Sequence, residues 1–343
     1  MKIAFDKDYQ PDACEGGNYR WCSNLSQFLR REGHEIVHRN PGQDGDCDLF
    51  IFPERWKSHE CQAKNVLQFQ WGADSNFKND IAFQEGKSVI SCSYRIHQNT
   101  LETVQLQWEQ ETGHKSYSAL LPWAYPDWFI DEYMPDHTLD DPFNRNIITW
   151  ISKGWYEPHY PSLPSGRARI DNGVNTLKAL VKLNQTVDFK LIMFGSQTWG
   201  NNQFERIPAE YRMKELAAQL KDVEYRTGNW FDVMKIAPHS KLNLHVAGLP
   251  SSLSEMNLAR ALPAVYTDNV DIRSTVPQDI SLLGEMQYAT EDSIYDALYT
   301  FWTDSGTYHC ALDYHQEWFK EHRTDGLRKC WGHALEVLRD VQG

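Results

Sequence analysis

The chain of 343 residues has no long hydrophobic run, and no apolar stretch approaches the roughly 18 residues of a membrane-spanning helix. Its seven cysteines, at positions 14, 22, 47, 61, 92, 310 and 330, form no CxxC pair. An odd number of cysteines in a long chain disfavours a disulfide framework. The opening apolar stretch "IAF" is too short for a signal peptide. We therefore expect a cytoplasmic protein with no stable membrane insertion.

Excess positive charge is also lacking, since the formal net charge is −13. Residues 1–145 carry 14 basic against 23 acidic side chains, and the remainder carries 20 against 24. Nucleic-acid affinity depends on cations that neutralise phosphates, so this balance disfavours a polyanionic partner. Aromatic residues are abundant at 13%, and they line sugar and nucleotide sites as well as filling cores.

Strand and helix patterns alternate along the first half of the chain. The helix pattern of "NYRWCSNLSQFLRREG" has Trp21, Leu25, Phe28 and Leu29 on one face, and Gly33 ends it. A second helix pattern covers "YRIHQNTLETVQLQWEQE". Six segments read as strands: "KIAF", "HEIVHR", "DCDLFIFP", "NVLQFQWG", "KSVISCS" and "YSALLPWAY". An acidic, proline-bearing stretch from Pro126 to Asn146 follows them.

The same alternation restarts near residue 146. Predicted strands are "NIITWISKGW", "DFKLIMFGS", "VEYRTG", "LNLHVAG" and "PAVYTD". Predicted helices are "NGVNTLKALVKL", "AEYRMKELAAQL", "WFDVMKIAPHS", "SEMNLARAL", "EDSIYDALYTFW" and "DGLRKCWGHALEVLRDV". The pattern predicts an α/β protein of two doubly wound, Rossmann-like domains facing across a cleft, which is the default ligand site. The predicted parts are residues 1–145, residues 146–312 and C-terminal helices in 313–343, the last packing back toward the first domain.

The order of these landmarks resembles that of GT-B glycosyltransferases, and is most similar to the family 4-like group. The similar segments span nearly the whole chain: "EGGNYRWCSNLSQFLRREGHEI", "SVISCSYRIHQNTL", "ALLPWAYPDWF", "LIMFGS", "VEYRTGNWFDVMKIAPHSKLNLHVAG" and "ALPAVYTDN". One departure is that Trp123 and Ala124 replace an Asn-Gly pair. The resemblance implies the GT-B fold, a nucleotide-sugar donor held mainly by the second domain, an acceptor held mainly by the first, and no required metal or cofactor.

The donor diphosphate needs cations or helix N-termini, and relatives carry an Arg-x4-Lys-Gly pattern for it. Here Arg167 matches the arginine, but Asn172 stands in place of the lysine. Arg169 or Lys153 is then the candidate for the missing charge. The alternative for these residues is a solvated loop charge.

Three further segments are predicted to contact the donor. Glu255 corresponds to one of two acids that relatives place eight residues apart, and the second acid is absent here. The alternative role of Glu255 is a favourable acid in a first helical turn. The remaining candidates are the residues near this helix start (Ser254, Met256 and Asn257), the base-side pair Asn229 and Trp230, and the glycine pair Gly16 and Gly17. Trp230 in a core and the glycine pair in a tight turn are the alternatives.

The catalytic residues are predicted least directly. Relatives with retaining chemistry place a histidine after the fourth strand, where this chain has Trp71. Asp74, three residues later, is the candidate general base, and a helix cap is its alternative role. Asp74 and Glu255 are therefore the predicted catalytic pair.

The predicted activity is a hexosyl- or pentosyltransferase that uses a UDP- or GDP-sugar. The acceptor alternatives are a saccharide or small molecule, which are favoured, and a hydroxymethylated DNA base reached by base flipping. A catalytically inactive nucleotide-sugar-binding protein and a sugar-nucleotide epimerase are the rival functions.

Overall fold

A computed structural model describes residues 1–10, 17–52, 60–70, 88–92, 105–106, 109–110, 113, 115, 117–134, 140–152, 164–196, 213–228, 230–245, 262–265 and 290–341. The chain divides into two compact units. Unit 1 contains Met1–Asp127 and Lys320–Gly343, and unit 2 contains Trp128–Phe319. The domain boundaries at residues 145 and 312 stay predictions.

Unit 1 is built on a six-stranded parallel sheet in the order β2-β1-β3-β4-β5-β6. The strands are β1 Lys2–Phe5, β2 Glu35–His38, β3 Leu49–Phe52, β4 Asn65–Gln70, β5 Ser88–Cys92 and β6 Tyr117–Leu120. Each lies in a segment predicted as a strand. Ile3, Ala4 and Phe5 are fully buried, as expected for a central strand that is covered on both faces.

Helix α1, Gly17–Arg31, connects β1 to β2. Its predicted apolar face is confirmed, because Trp21, Leu25, Phe28 and Leu29 are all buried. Gly33 follows the helix with φ of 87°, and the N–H of His34 bonds to the carbonyl of Leu29 at 3.0 Å. A left-handed glycine with this bond is a common helix end, since it satisfies a terminal carbonyl.

The end of the chain also belongs to unit 1. Helix α8, Thr324–Val341, packs on β5 and β6. Its buried residues recur every three or four positions: Leu327, Trp331, Ala334, Leu338 and Val341. Arg328 forms an ion pair with Glu32 at 2.9 Å, and the Trp331 Nε1–H donates to His34 Nε2 at 3.0 Å. These contacts attach the last helix to the α1–β2 corner.

Unit 2 contains a five-stranded parallel sheet in the order β11-β10-β7-β8-β9. Its strands are β7 Ile147–Ser152, β8 Lys190–Ser196, β9 Val223–Gly228, β10 Ser240–His245 and β11 Leu262–Val265. The remaining helices are α2 Asp127–Tyr133, α3 Pro164–Leu183, α4 Met213–Ala217, α5 Trp230–Ile236, α6 Glu291–Thr303 and α7 Ser305–Trp318. Buried Leu177 and Leu180 of α3 join Ile294 and Leu298 of α6 in one apolar core with the sheet.

Three helical segments differ from the prediction. Helix α3 begins at Pro164, eight residues before the predicted start at Asn172. Helix α7 was not predicted; the Asp304 side chain caps it by accepting from the N–H groups of Gly306 and Thr307. The stretch from Pro126 to Asn146 contains α2 and a 3₁₀ turn at Pro142–Asn144.

His322 is a buried histidine that ties the end of the chain to the β6 side of unit 1. Its Nδ1–H donates to the carbonyl of Trp123 at 2.9 Å, and its carbonyl accepts from the N–H of Tyr125. Burial lowers the pKa of His322 to about 4 from 6.5. The native state therefore keeps this imidazole neutral across a pH range in which an unfolded histidine becomes charged.

We predict that His322→Asn reduces the acid sensitivity of unit 1. Between about pH 6.5 and pH 4 the unfolded state binds more protons than the native state, so stability falls as pH falls. The expected loss over this window is about 3 kcal/mol in the wild type, and it is absent in the variant. Urea unfolding over a pH series measures it. His333→Asn, an exposed histidine on α8, is the control, and equal slopes for wild type and His322→Asn would contradict the prediction.

Candidate functional site

The carboxyl ends of the unit 2 strands lie at one edge of the sheet, which we call the carboxyl edge. Ser152 pairs with Gly195, and Ser196 pairs with Gly228, so β7, β8 and β9 end together. Strands β7 and β10 are neighbours although the chain leaves β7 toward β8. This is the topological switch point, outside which doubly wound sheets bind ligands.

Helix α3 begins at this edge, because it follows the parallel strand β7 in the chain. Pro164 occupies its first position, where the missing N–H costs nothing, and its first turn contains no acidic residue. A helix N-terminus carries roughly half a positive charge and free N–H groups. The local arrangement therefore suits an anion such as a phosphate.

Arg167 and Arg169 lie within the first two turns of α3 and not in a loop, and whether their charges are solvated or bind a ligand stays a prediction. Basic residues at a helix N-terminus oppose the helix dipole and are unfavourable by themselves. A bound anion would reverse that penalty. Their side chains lie outside the described part of the structure, so the phosphate contact stays a prediction.

Trp230 is the first residue of α5, and it follows the end of β9 by two residues. The backbone thus brings Trp230 to the same edge as the start of α3. The side chain of Trp230 is not among those that the structure describes, so its stacking on the nucleotide base stays a prediction. Eight other predicted site residues lie outside the described residues altogether: Gly16, Asp74, Lys153, Asn229, Ser254, Glu255, Met256 and Asn257.

Unit 1 has a matching carboxyl edge. Its switch point lies between β1 and β3, because the chain goes from β1 to β2 on one side and then to β3 on the other. Gly17 is the first residue of α1, and the first turn of this helix also lacks acids. Gly17, the described member of the predicted glycine pair, thus lies at the N-terminus of the helix that follows the switch-point strand.

The loop Asp6–Gln10, which directly follows β1, was not predicted as part of a site. Tyr9 is only 3% exposed, and its hydroxyl donates to the Asp6 Oδ1 atom at 2.5 Å. The N–H of Gln10 donates to the Tyr19 hydroxyl at 2.9 Å, and that hydroxyl donates to the Asp8 carbonyl at 3.3 Å. The loop is therefore fixed to the first turn of α1. Asp6, a polar residue directly after the buried strand β1, is the feature of the sequence that could have identified this loop.

The described residues contain neither a metal-binding cluster nor a membrane-spanning helix. No group of three or more His, Cys, Asp or Glu side chains among them is arranged to hold a metal ion. No helix in the described ranges has the length and apolar character needed to cross a membrane.

Comparison with known proteins finds no matching protein-family model and no similar curated protein. Solved structures do match. A glycosyltransferase from Rickettsia africae ESF-5 has a TM-score of 0.61 at 13% identity, covering 99% of this chain and 98% of its own. An α,α-trehalose 6-phosphate synthase from Burkholderia multivorans has a TM-score of 0.59 at 10% identity, covering 99% and 96%.

A third match is Anabaena Alr3699/HepE in complex with UDP-glucose, with a TM-score of 0.58 at 11% identity, covering 98% of this chain and 99% of its own. Likeness at such low identity concerns the fold, because one fold hosts many functions. The resemblance to GT-B glycosyltransferases is thereby confirmed, and this chain has their two-domain, doubly wound α/β fold.

Proposed function

We propose that this chain is a glycosyltransferase that moves a sugar from a nucleotide-diphosphate sugar to an acceptor hydroxyl. The observation that carries the proposal is the start of α3 at the switch point of unit 2. There, an acid-free helix N-terminus meets Arg167 and Arg169. A matching structure in complex with UDP-glucose supports UDP-glucose as the first donor to test.

The chemistry that we propose is electrostatic stabilisation of the leaving group. When the bond between the sugar and the diphosphate breaks, negative charge grows on the diphosphate oxygens. Free N–H groups at the start of α3 and the guanidinium of Arg167 would stabilise that charge without a metal. Glu255 would bond the sugar, and Trp230 would stack on the base. A saccharide or small molecule remains the favoured acceptor because the chain is acidic.

The enzyme and a non-catalytic donor-binding protein differ in turnover. UDP release from UDP-glucose, with water or D-glucose as acceptor, separates the two, since a binding protein retains affinity without release. An epimerase would instead interconvert free nucleotide sugars with no acceptor. We expect slow UDP release with water and faster release with an acceptor.

The first prediction for this function concerns Arg167→Ala. Loss of a charged hydrogen bond to phosphate costs about 1.5–3 kcal/mol, so UDP should bind about ten- to a hundredfold more weakly. Titration calorimetry with UDP measures the affinity. Lys178→Ala removes the same charge from an exposed position further along α3 and is the matched control. Equal affinities for the two variants would reject Arg167 as a phosphate ligand.

A second prediction isolates the sugar contact of Glu255. Glu255→Gln should weaken the binding of UDP-glucose about tenfold and leave that of UDP unchanged, because UDP lacks the sugar. The same calorimetry with both ligands measures the difference. Glu291→Gln in the first turn of α6 is the control for removing a helix-start acid. A parallel loss for UDP and UDP-glucose would exclude a sugar contact.

A further inference from the structure

We propose that Asp6 is the residue of unit 1 that binds the acceptor hydroxyl and accepts its proton. The proposal rests on the proposed function, and it gives Asp6 the general-base role for which Asp74, which lies outside the described residues, was the candidate from the sequence. Asp6 directly follows Phe5, the last residue of β1. Strand β1 lies between β2 and β3, so Asp6 is located at the switch point of the unit 1 sheet.

Tyr9 holds the Asp6 carboxylate in one orientation. The Tyr9 hydroxyl donates to Oδ1 at 2.5 Å. The phenol ring packs edge-on against Phe5 and Tyr19, with ring centroids 6.1 and 4.9 Å away. Burial, the neighbouring Cys22 and the Asp6 carboxylate together raise the pKa of Tyr9 above its ordinary value, so the phenol remains a donor. A buried ring with one bond to a partly exposed carboxylate fixes the direction of that carboxylate.

The second oxygen of Asp6 bonds to no residue that the structure describes. Within the described part of the chain, Tyr9 is the one hydrogen-bond partner of Asp6, which is partly exposed. The neighbouring Lys7 ammonium lies 5.3 and 5.2 Å from the ring centroids of Tyr9 and Tyr19. Cation–π contacts therefore accommodate this charge, and Lys7 does not neutralise Asp6.

Asp8, two residues later, provides a contrast. Its carboxylate lies 3.1 Å from His38 Nε2 and 3.8 Å from Arg30. This carboxylate is exposed and already pairs with basic groups on β2 and α1. The loop thus contains one carboxylate that pairs with basic side chains and one that Tyr9 holds in place and whose second oxygen bonds to none of the described residues.

Asp6 would act in the sugar-transfer step itself. The acceptor oxygen forms a bond to the anomeric carbon of the donor sugar, and the bond between that carbon and the diphosphate oxygen breaks. The proton of the acceptor hydroxyl moves to the open oxygen of Asp6 and then to solvent. The electron pair of the broken bond leaves with the nucleoside diphosphate.

The main test is Asp6→Asn with Asp8→Asn as the matched control. General-base catalysis contributes about a hundredfold or more, so kcat for UDP release from UDP-glucose should fall by about that factor in Asp6→Asn. The affinity for UDP should stay within about twofold, since unit 2 would bind the donor. Asp8→Asn should keep both values. Thermal melting checks folding, and Asp6→Glu, which retains the charge but displaces the oxygens, should also lose most of kcat.

A second test examines Tyr9 as a positioning residue. Tyr9→Phe should lower kcat about three- to tenfold with KM for UDP-glucose unchanged. In the Asp6→Asn background the same change should have no further effect, because Tyr9 acts through Asp6. A merely structural role would lower kcat equally in both backgrounds.

The outcomes separate the two proposals. A wild-type protein that binds no UDP or UDP-glucose rejects the proposed function, and one that binds UDP without releasing it from UDP-glucose rejects both proposals. Normal UDP release by the wild type with equal kcat for Asp6→Asn and Asp8→Asn rejects the role of Asp6 alone. A loss of UDP affinity in Asp6→Asn equal to the loss of kcat would also overturn it, since the residue would then act on the donor.

Discussion

Parallel pairing is the constraint on which the rest of this structure depends. Each described strand pair in both sheets is parallel, so the chain must cross back over the sheet between paired strands. A crossover helix that follows a parallel strand begins at the carboxyl edge of its sheet. The pairing therefore collects helix N-termini and the loops after the strands at one edge of each unit, and polar chemistry concentrates there while the strands themselves remain apolar.

The carboxyl edges of the two units contain residues of opposite charge. In each, a long helix with no acid in its first turn follows the strand at the switch point: α1 after β1 and α3 after β7. In unit 2, Arg167 and Arg169 lie in the first two turns of that helix, and their role as phosphate ligands is a proposal. In unit 1 the loop after β1 instead presents the carboxylate of Asp6, held by Tyr9. In the proposed sugar transfer the two kinds of group would have separate roles, since the leaving diphosphate gains negative charge while the acceptor hydroxyl loses a proton.

The sequence was sufficient for the parts of the fold that are decided by hydrophobic periodicity. Trp21, Leu25, Phe28 and Leu29 form a continuous apolar stripe, so the buried face of α1 was predictable. Helix α7 was not, because its buried Tyr308 and Leu312 stand among mostly polar residues and its start depends on the Asp304 cap. The early start of α3 was hidden by "PSLPSG", a composition typical of loops. The Tyr9–Asp6 bond depends on loop geometry, which periodicity does not describe.

The start of α3 at Pro164 bears on Asn172, which stands where the GT-B group that this chain resembles has a lysine. Relatives have a lysine at the position of Asn172, five residues after the arginine that corresponds to Arg167. In a helix, residues three apart are neighbours on one face, so Arg169 lies beside Asn172 and one turn nearer the helix start. The backbone position of Arg169 in the first two turns of α3 supports the proposal that it provides the second positive charge, whereas Lys153, the other candidate, lies outside the described residues.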